Sequence, residues 1–311
     1  MISILLAKKI AEFFVYLLIG FALVKCGILK SEDSAVITKL SIYTMTPAII
    51  IKAFQIDATG EINRGLMLAF ADAVLIHVIC ILISSIYGKV ANASEVERGS
   101  VIYSNGGNLI VPIVAAVLGE EWVIYSAAFI SVFNMFIWTQ GRSLFVGDEK
   151  IPWKKILLNV NIIATMIGLC MFICHIRITG IPLHVLSAFS DMLGPVSMII
   201  VGMVLGSMKA SNLFENKRIW GVLLMRLVVC PLCVLLIMWM IPTAWLPENG
   251  RQVMLVSFFA AMAPCAATIN QFSILYNKDT KYASAINILS TLACIVSMPC
   301  MLYLFQIVMM K

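Results

Sequence analysis

The stretch SNGGNLIVP at residues 104–112 interrupts an apolar segment that is otherwise long enough to span a membrane. Two glycines between two asparagines, followed by Pro112, weaken the i to i−4 hydrogen-bond ladder of a helix. No water replaces the lost bonds inside a bilayer, so we expect this break to line a protein cavity. A second break, MAPCAATINQ at residues 262–271, occupies the matching place in the second half of the chain. Paired interrupted helices are typical of the substrate sites of secondary transporters.

The composition places the chain in a membrane. Of the 311 residues, 61% are hydrophobic and 12% are charged, whereas about a quarter of the residues of a soluble domain are charged. Apolar runs of about 20 residues recur from end to end, and each is long enough to cross a hydrocarbon core of roughly 30 Å. The net charge of +6 is spread over short loops, which speaks to membrane orientation and not to nucleic-acid binding.

These runs predict an all-α polytopic membrane protein with ten transmembrane helices. The predicted spans are 4–24, 34–55, 66–87, 98–118, 122–144, 154–174, 185–206, 217–241, 252–275 and 282–308. Five spans precede the loop at 147–153 and five follow it, so the second half begins on the opposite side of the membrane. We therefore expect one transporter domain, 1–311, built from two inverted repeats (1–147 and 153–311), with helices 4 and 9 broken and crossing.

The basic residues predict the orientation of the chain. With the N-terminus outside, the inner loops hold about twice as many Lys and Arg residues as the outer loops, as the positive-inside rule requires. We therefore expect a multi-pass protein of the cell membrane with both termini outside.

Polar groups at the two breaks form the candidate substrate site. Each break ends one half-helix, which leaves free carbonyls, and starts another, whose free N–H groups favour anions. Two breaks that cross near the midplane would offer both kinds of group to a substrate. The side chains could also cap the broken backbone, and the two roles are compatible. The candidate side chains are Asn105, Asn108, Thr268, Asn270 and Gln271.

Two charged residues lie within predicted spans. An ionised Asp72 in the third helix would cost at least ~2.5–3.5 kcal/mol, so it is neutral, paired, or close enough to the outer interface to stay wet. A neutral Asp72 can load and release a proton as access alternates, which makes it the candidate for proton coupling. Arg226 in the eighth helix is the candidate counter-charge for an anionic substrate, unless its long stem extends to the inner interface.

The sequence does not indicate an enzyme. It has neither a Gly-Lys-Ser phosphate loop nor an HExxH metal motif, and neither Asp72 nor Asp191 has the Gly-rich surroundings of an intramembrane aspartyl protease. No metal site or cofactor is predicted. Energy for transport would then come from an ion gradient or from the gradient of the substrate itself.

The chain resembles the auxin efflux carrier family, whose bacterial members include malonate and malate permeases. The resemblance runs nearly from end to end. Its motifs, in chain order, are LSIYTMTP at 40–47, SNGGNLIVP at 104–112, GPVSMIIVGMVL at 194–205, RLVVCP at 226–231, and the run from Ala260 through Asn270 to Thr291 and Pro299.

This resemblance implies two inverted repeats of five helices and a substrate site where the fourth and ninth helices cross. It also implies an elevator-like movement of the domain that contains the crossing against a scaffold domain, and a possible homodimer. Transferred by position, the implied site comprises Asn105, Gly107, Asn108, Pro112, Pro264, Thr268 and Asn270. The first break reads Asn-Gly-Gly-Asn instead of the Asn-Pro-Asn of plant members, and the long hydrophilic loop of many plant members is absent. The first departure argues against plant-auxin specificity, and the missing loop favours a compact prokaryotic-type permease.

We therefore expect a secondary transporter of a small organic anion, such as a mono- or dicarboxylate, driven by protons or by the electrochemical gradient of the substrate. One alternative is a sodium-coupled organic anion symporter with a bile-acid-transporter-like fold, which clustered carboxylates at the crossing would favour. The other is a non-transporting membrane sensor or assembly protein, which would normally carry a soluble signalling domain. The expected partners are the anion, protons or sodium, and lipid, with no nucleic acid.

Overall fold

A computed structural model describes residues 2–147, 158–208 and 216–310 of the chain. Over these ranges the chain is helical, with one isolated antiparallel β-bridge between Ser104 and Cys265. By length and composition, six of the described helical segments can cross a membrane: Asp33–Ala53, Gly60–Ala91, Glu120–Val146, Ile181–Ser207, Ile219–Met240 and Thr280–Met309. These segments agree with a polytopic membrane protein.

The α-helices are numbered in chain order. They are α1 (Ile2–Lys25), α2 (Asp33–Leu40), α3 (Thr46–Ala53), α4 (Gly60–Ala91), α5 (Glu95–Ile102), α6 (Gly106–Val117), α7 (Val123–Phe136), α8 (Arg142–Val146), α9 (Val160–Ile173), α10 (Ile181–Ser207), α11 (Ile219–Leu224), α12 (Cys230–Met240), α13 (Gly250–Ala261), α14 (Ala267–Leu275) and α15 (Thr280–Met309).

Three π-helical turns join pairs of these helices into longer segments. They are Ser41–Met45 between α2 and α3, Ile137–Gly141 between α7 and α8, and Met225–Val229 between α11 and α12. A π-turn inserts an extra residue into a helical turn and is frequent at functional sites. The third π-turn carries Arg226.

The chain forms two compact units. Unit 1 consists of Met1–Asn63, Gly107–Ala127 and Pro152–Met208. Within it, α1 packs along α10 with close backbone contact at two glycines, Gly20 and Gly202. A methyl group on Gly202 would overlap the carbonyl of Leu17, so only glycine allows this approach.

Unit 2 consists of Arg64–Gly106, Ala128–Ile151 and Lys209–Lys311. At the start of α5, Ser94 and Glu97 form a capping box, in which each side chain bonds to the backbone N–H of the other residue. The buried carboxylate of Glu97 also accepts hydrogen bonds from Arg218 Nε (2.8 Å) and from the Tyr282 hydroxyl (2.9 Å). The hydrogen bond to Glu97 and the charge of that carboxylate raise the pKa of Arg218. This cluster ties the beginnings of α5, α11 and α15 together.

Two predicted spans are each divided into two helices. Predicted span 98–118 is α5 and α6 with a break at 103–105, and predicted span 252–275 is α13 and α14 with a break at 262–266. The first break was expected to extend to Pro112, but α6 begins at Gly106 and contains Pro112. The first turn of a helix tolerates glycines because its N–H groups need no helical acceptor, and an internal proline removes only one hydrogen bond. Part of the predicted loop at 147–153 lies outside the described residues.

Candidate functional site at the helix crossing

The two breaks of unit 2 cross and satisfy each other's backbone. The N–H of Asn105 donates to the carbonyl of Pro264 (2.8 Å), and the N–H of Ala266 donates to the carbonyl of Tyr103 (2.9 Å). Ser104 and Cys265 thereby form the isolated antiparallel bridge. Because buried N–H and carbonyl groups must be paired, each break supplies partners that the other lacks.

Helix α15 holds the second break through two polar side chains. The N–H of Cys265 donates to Ser290 Oγ (3.1 Å), and Asn287 Nδ2 donates to the carbonyl of Cys265 (2.8 Å). All three residues are buried. Both backbone groups of the bridge residue are therefore bonded to side chains of one neighbouring helix.

Arg226 holds the carbonyl ends of both broken helices. Its side chain is 1% exposed, and its guanidinium donates to Ala260 and Ala261 at the end of α13 and to Ala263 in the second break. Further acceptors are the carbonyls of the last two residues of α5, Val101 and Ile102. The guanidinium thus lies inside unit 2 and does not extend to the interface. Its described bonds are to backbone carbonyls and to the sulfur of Cys80 (3.9 Å).

The N-terminal end of α14 carries the other polar candidates. The first N–H groups of a helix lack helical acceptors and carry partial positive charge. Thr268 and Asn270 are half-buried in the first turns of α14, whereas Gln271 is exposed. Asn270 Oδ1 accepts a hydrogen bond from Ser284 on α15 (2.9 Å), which orients the amide and leaves its NH2 as a donor. Pro264, the remaining candidate of this break, lies buried within it.

The candidates of the first break fall on both units. Asn105 is buried in unit 2, beside the bridge. Gly107 and Asn108 lie in the first turn of α6, and their side-chain environment is outside the described part of the structure. Pro112 lines a cavity of about 280 Å3 within unit 1.

That cavity contains a charged cluster around Lys52. The ammonium lies 3.3 Å from Glu120 Oε2 and 3.4 Å from Asp191 Oδ1, and both carboxylates are largely exposed. Gly194 packs closely against Pro112 at this point of unit 1. Ion pairs as exposed as these contribute little stability, so the cluster is open to rearrangement.

Asp72 is buried in α4 of unit 2 without a complete set of partners. It is 1% exposed, and within the described residues its Oδ2 has no hydrogen-bond partner. His77 does not supply one, since its Nδ1 lies 2.7 Å from the carbonyl of Ala73 and its ring stacks on Phe136 with centroids 5.0 Å apart. A buried, incompletely bonded carboxylate is costly when ionised and therefore points to a functional role.

Comparison with known proteins gives the family. A family model described as "Membrane transport protein" matches residues 5–151 and 144–302. The chain belongs to this membrane transport protein family. The resemblance to the auxin efflux carriers is thereby confirmed at family level. The chain is also similar to an uncharacterized transporter of Methanothermobacter thermautotrophicus, with 22% identity over 307 residues that cover 94% of this chain and 96% of the relative. The protein is a membrane transporter.

Sequence reasoning identified the breaks but missed much of what holds them. From the sequence, Asn287 and Ser290 could face the crossing helices, but ordinary helix–helix hydrogen bonding explains them equally well. No local pattern marks them as partners of Cys265. The Ser-x-x-Glu pattern of the capping box at Ser94 could have predicted the start of α5 from the sequence. In the described residues, no group of three His, Cys, Asp or Glu side chains is placed to hold a metal ion.

Proposed function

We propose that the protein is a secondary transporter of a small organic anion and that the anion binds at the helix crossing of unit 2. The observation that supports this most directly is the pair of broken helices joined at Ser104 and Cys265. Interrupted helices of this kind present helix ends to a substrate, and at this crossing the first N–H groups of α14 are the ones that lack helical acceptors. The polar side chains at the start of α14 are neutral amides and hydroxyls, which suit the binding of a substrate.

The polar groups at the start of α14 favour an anion. Thr268 and Asn270 add neutral hydrogen-bond donors beside the positive end of the helix dipole. The carbonyl ends of α5 and α13, which would favour a cation, are bonded to Arg226. Mono- and dicarboxylates such as malate and malonate are therefore the first substrates to test.

Asp72 is the proposed proton carrier. Its burial and the unbonded Oδ2 favour a protonated carboxyl in this conformation. If the carboxyl gains water during the transport cycle, it can release that proton on the other side. Uptake would then depend on the pH gradient.

The proposed topology has ten spans in two inverted repeats, with both termini outside the cell membrane. Support comes from the six long apolar segments together with α1, α9 and the two broken pairs, α5 with α6 and α13 with α14. Labelling of single cysteines placed at residues 2 and 310 with an impermeant maleimide on intact cells tests the orientation, and protection of both positions would overturn it.

The deciding experiment is accumulation of labelled malate and malonate in proteoliposomes under an imposed pH gradient or sodium gradient. We expect the pH gradient alone to drive uptake. Asn270→Ala should raise the KM at least tenfold, because one polar contact with the anion is lost. Asp72→Asn should abolish gradient-driven accumulation and leave binding intact.

Gln252→Ala, which removes an exposed amide at the start of α13, is the matched control and should transport normally. Asn108→Ala tests the remaining predicted side chain of the first break. If neither anion moves under either gradient, the substrate class is wrong. If Asn270→Ala transports with an unchanged KM, the proposed site is wrong.

A further inference from the structure

The guanidinium of Arg226 uses all of its donors inside unit 2, on backbone carbonyls and, at Nη1, also on the sulfur of Cys80 (3.9 Å). Nε donates to Ala263 (3.0 Å), Nη1 to Val101 (3.3 Å) and Ile102 (3.4 Å), and Nη2 to Ala260 (3.2 Å) and Ala261 (2.9 Å). A guanidinium has five N–H donors and no acceptor. Five carbonyls therefore match five donors, and none is left for a substrate.

The charge of Arg226 is matched by the helices and not by an acid. Among the described residues, no carboxylate forms an ion pair with this guanidinium. Each helix C-terminus carries roughly half a negative charge, so the ends of α5 and α13 together offer about one. The buried cation is thus balanced by the two half-helices that it holds.

We propose that Arg226 is a tethered cation that takes the place of a coupling ion at the carbonyl end of the crossing and positions both breaks. In secondary transporters, unwound carbonyls and half-helix C-termini are the groups that coordinate sodium. Here those groups are occupied by a side chain that cannot leave. The crossing therefore takes no sodium at this point, and Arg226 is a positioning residue that does not contact the substrate.

The role requires the shape of arginine as well as its charge. The acceptors lie on two different helices, α5 and α13, and a planar fork with five donors reaches both sets at once. A lysine ammonium has three donors and would leave at least two of the five carbonyls unbonded. We therefore expect Arg226→Lys to resemble Arg226→Ala more than the wild type.

The structural test uses two native cysteines of the full-length protein. Cys265 is the bridge residue and is 1% exposed, whereas Cys294 is 4% exposed on α15. Alkylation by N-ethylmaleimide, followed by peptide mass spectrometry, should be slow at both sites in the wild type. In Arg226→Ala and Arg226→Lys, alkylation of Cys265 should rise at least tenfold while Cys294 stays protected. Millimolar guanidinium, well below denaturing concentrations, should restore protection of Cys265 in Arg226→Ala.

Arg218→Ala is the matched control, because it removes a nearby arginine that bonds to Glu97 instead of the crossing. Cys265 should stay protected in this variant. If Arg226→Ala exposes both cysteines because it fails to fold, Arg226→Lys decides the question. Wild-type protection of Cys265 in a folded Arg226→Lys protein would overturn the positioning role.

The transport test rests on the proposed function. Replacing sodium with choline on both sides should leave wild-type uptake unchanged. Arg226→Ala should lower uptake at least tenfold, and guanidinium should restore part of it. Uptake by the wild type that requires sodium would overturn the inference that Arg226 replaces a coupling ion. If the wild type transports no tested anion, the proposed function fails, but the Cys265 result still tests the positioning role on its own.

Discussion

Replacement of Ser290 by alanine tests how strongly α15 holds the second break. Ser290 Oγ is the described acceptor for the N–H of Cys265 at 3.1 Å, and both residues are almost completely buried. A buried N–H left without a partner costs about 1–3 kcal/mol. We therefore expect Ser290→Ala to lower the free energy of unfolding by that amount, which corresponds to a roughly 5- to 150-fold change in the equilibrium constant.

The assay is unfolding of the purified protein in mixed micelles of increasing sodium dodecyl sulfate content, followed by tryptophan fluorescence. The matched control is Thr291→Val, because the Thr291 hydroxyl donates only to the carbonyl of Asn287 in its own helix. Its loss should cost less than about 1 kcal/mol. If the two substitutions lower the free energy of unfolding equally, the bond from Cys265 to Ser290 stabilises the protein no more than a hydrogen bond within one helix, and the reasoning is refuted.

Two further stability predictions follow from close packing and from a buried ion pair. Gly202→Ala should destabilise the protein by about 3 kcal/mol or more, because backbone blocks the new methyl group. Gly60→Ala, where that space is open, should change the unfolding midpoint little, and equal effects would refute the packing argument. Glu97→Gln should cost about 1.5–3 kcal/mol through weakened bonds from Arg218. Glu95→Gln, in a more exposed ion pair, should cost at most about 1 kcal/mol in the same assay, and the reverse order would contradict the assignment.

The breaks could be predicted because their causes are local. Gly106, Gly107 and Pro264 weaken the helical ladder by their own chemistry, whatever surrounds them. The first and last residues of the first break could not be predicted in the same way, because they are fixed by the bridge to Cys265, which lies more than 150 residues away in the sequence. Local propensity therefore predicted that a break exists, and tertiary contacts decide where it ends.

The environment of Arg226 was beyond sequence reasoning. A lone arginine in an apolar helix is compatible with substrate binding, with extension to the interface or with a structural role. The π-turn at Met225–Val229 is invisible in composition, yet it carries this side chain. Only the meeting of three separate chain segments supplies the carbonyl acceptors, and no local pattern encodes that meeting.

The long separation between the first break and Ser290 has a consequence for biosynthesis. The first break enters the membrane early, but its bridge partner Cys265 is held by side chains of α15, which emerge about 185 residues later. At 5–20 residues per second this delay is roughly 10–40 s. During that interval the carbonyls of Val101 and Ile102 gain their partner when Arg226 is made, and the N–H of Asn105 and the carbonyl of Tyr103 gain theirs when the second break is made. A chain truncated before α15 would therefore make the bridge but would leave the N–H and the carbonyl of Cys265 without the side chains that hold them in the finished protein.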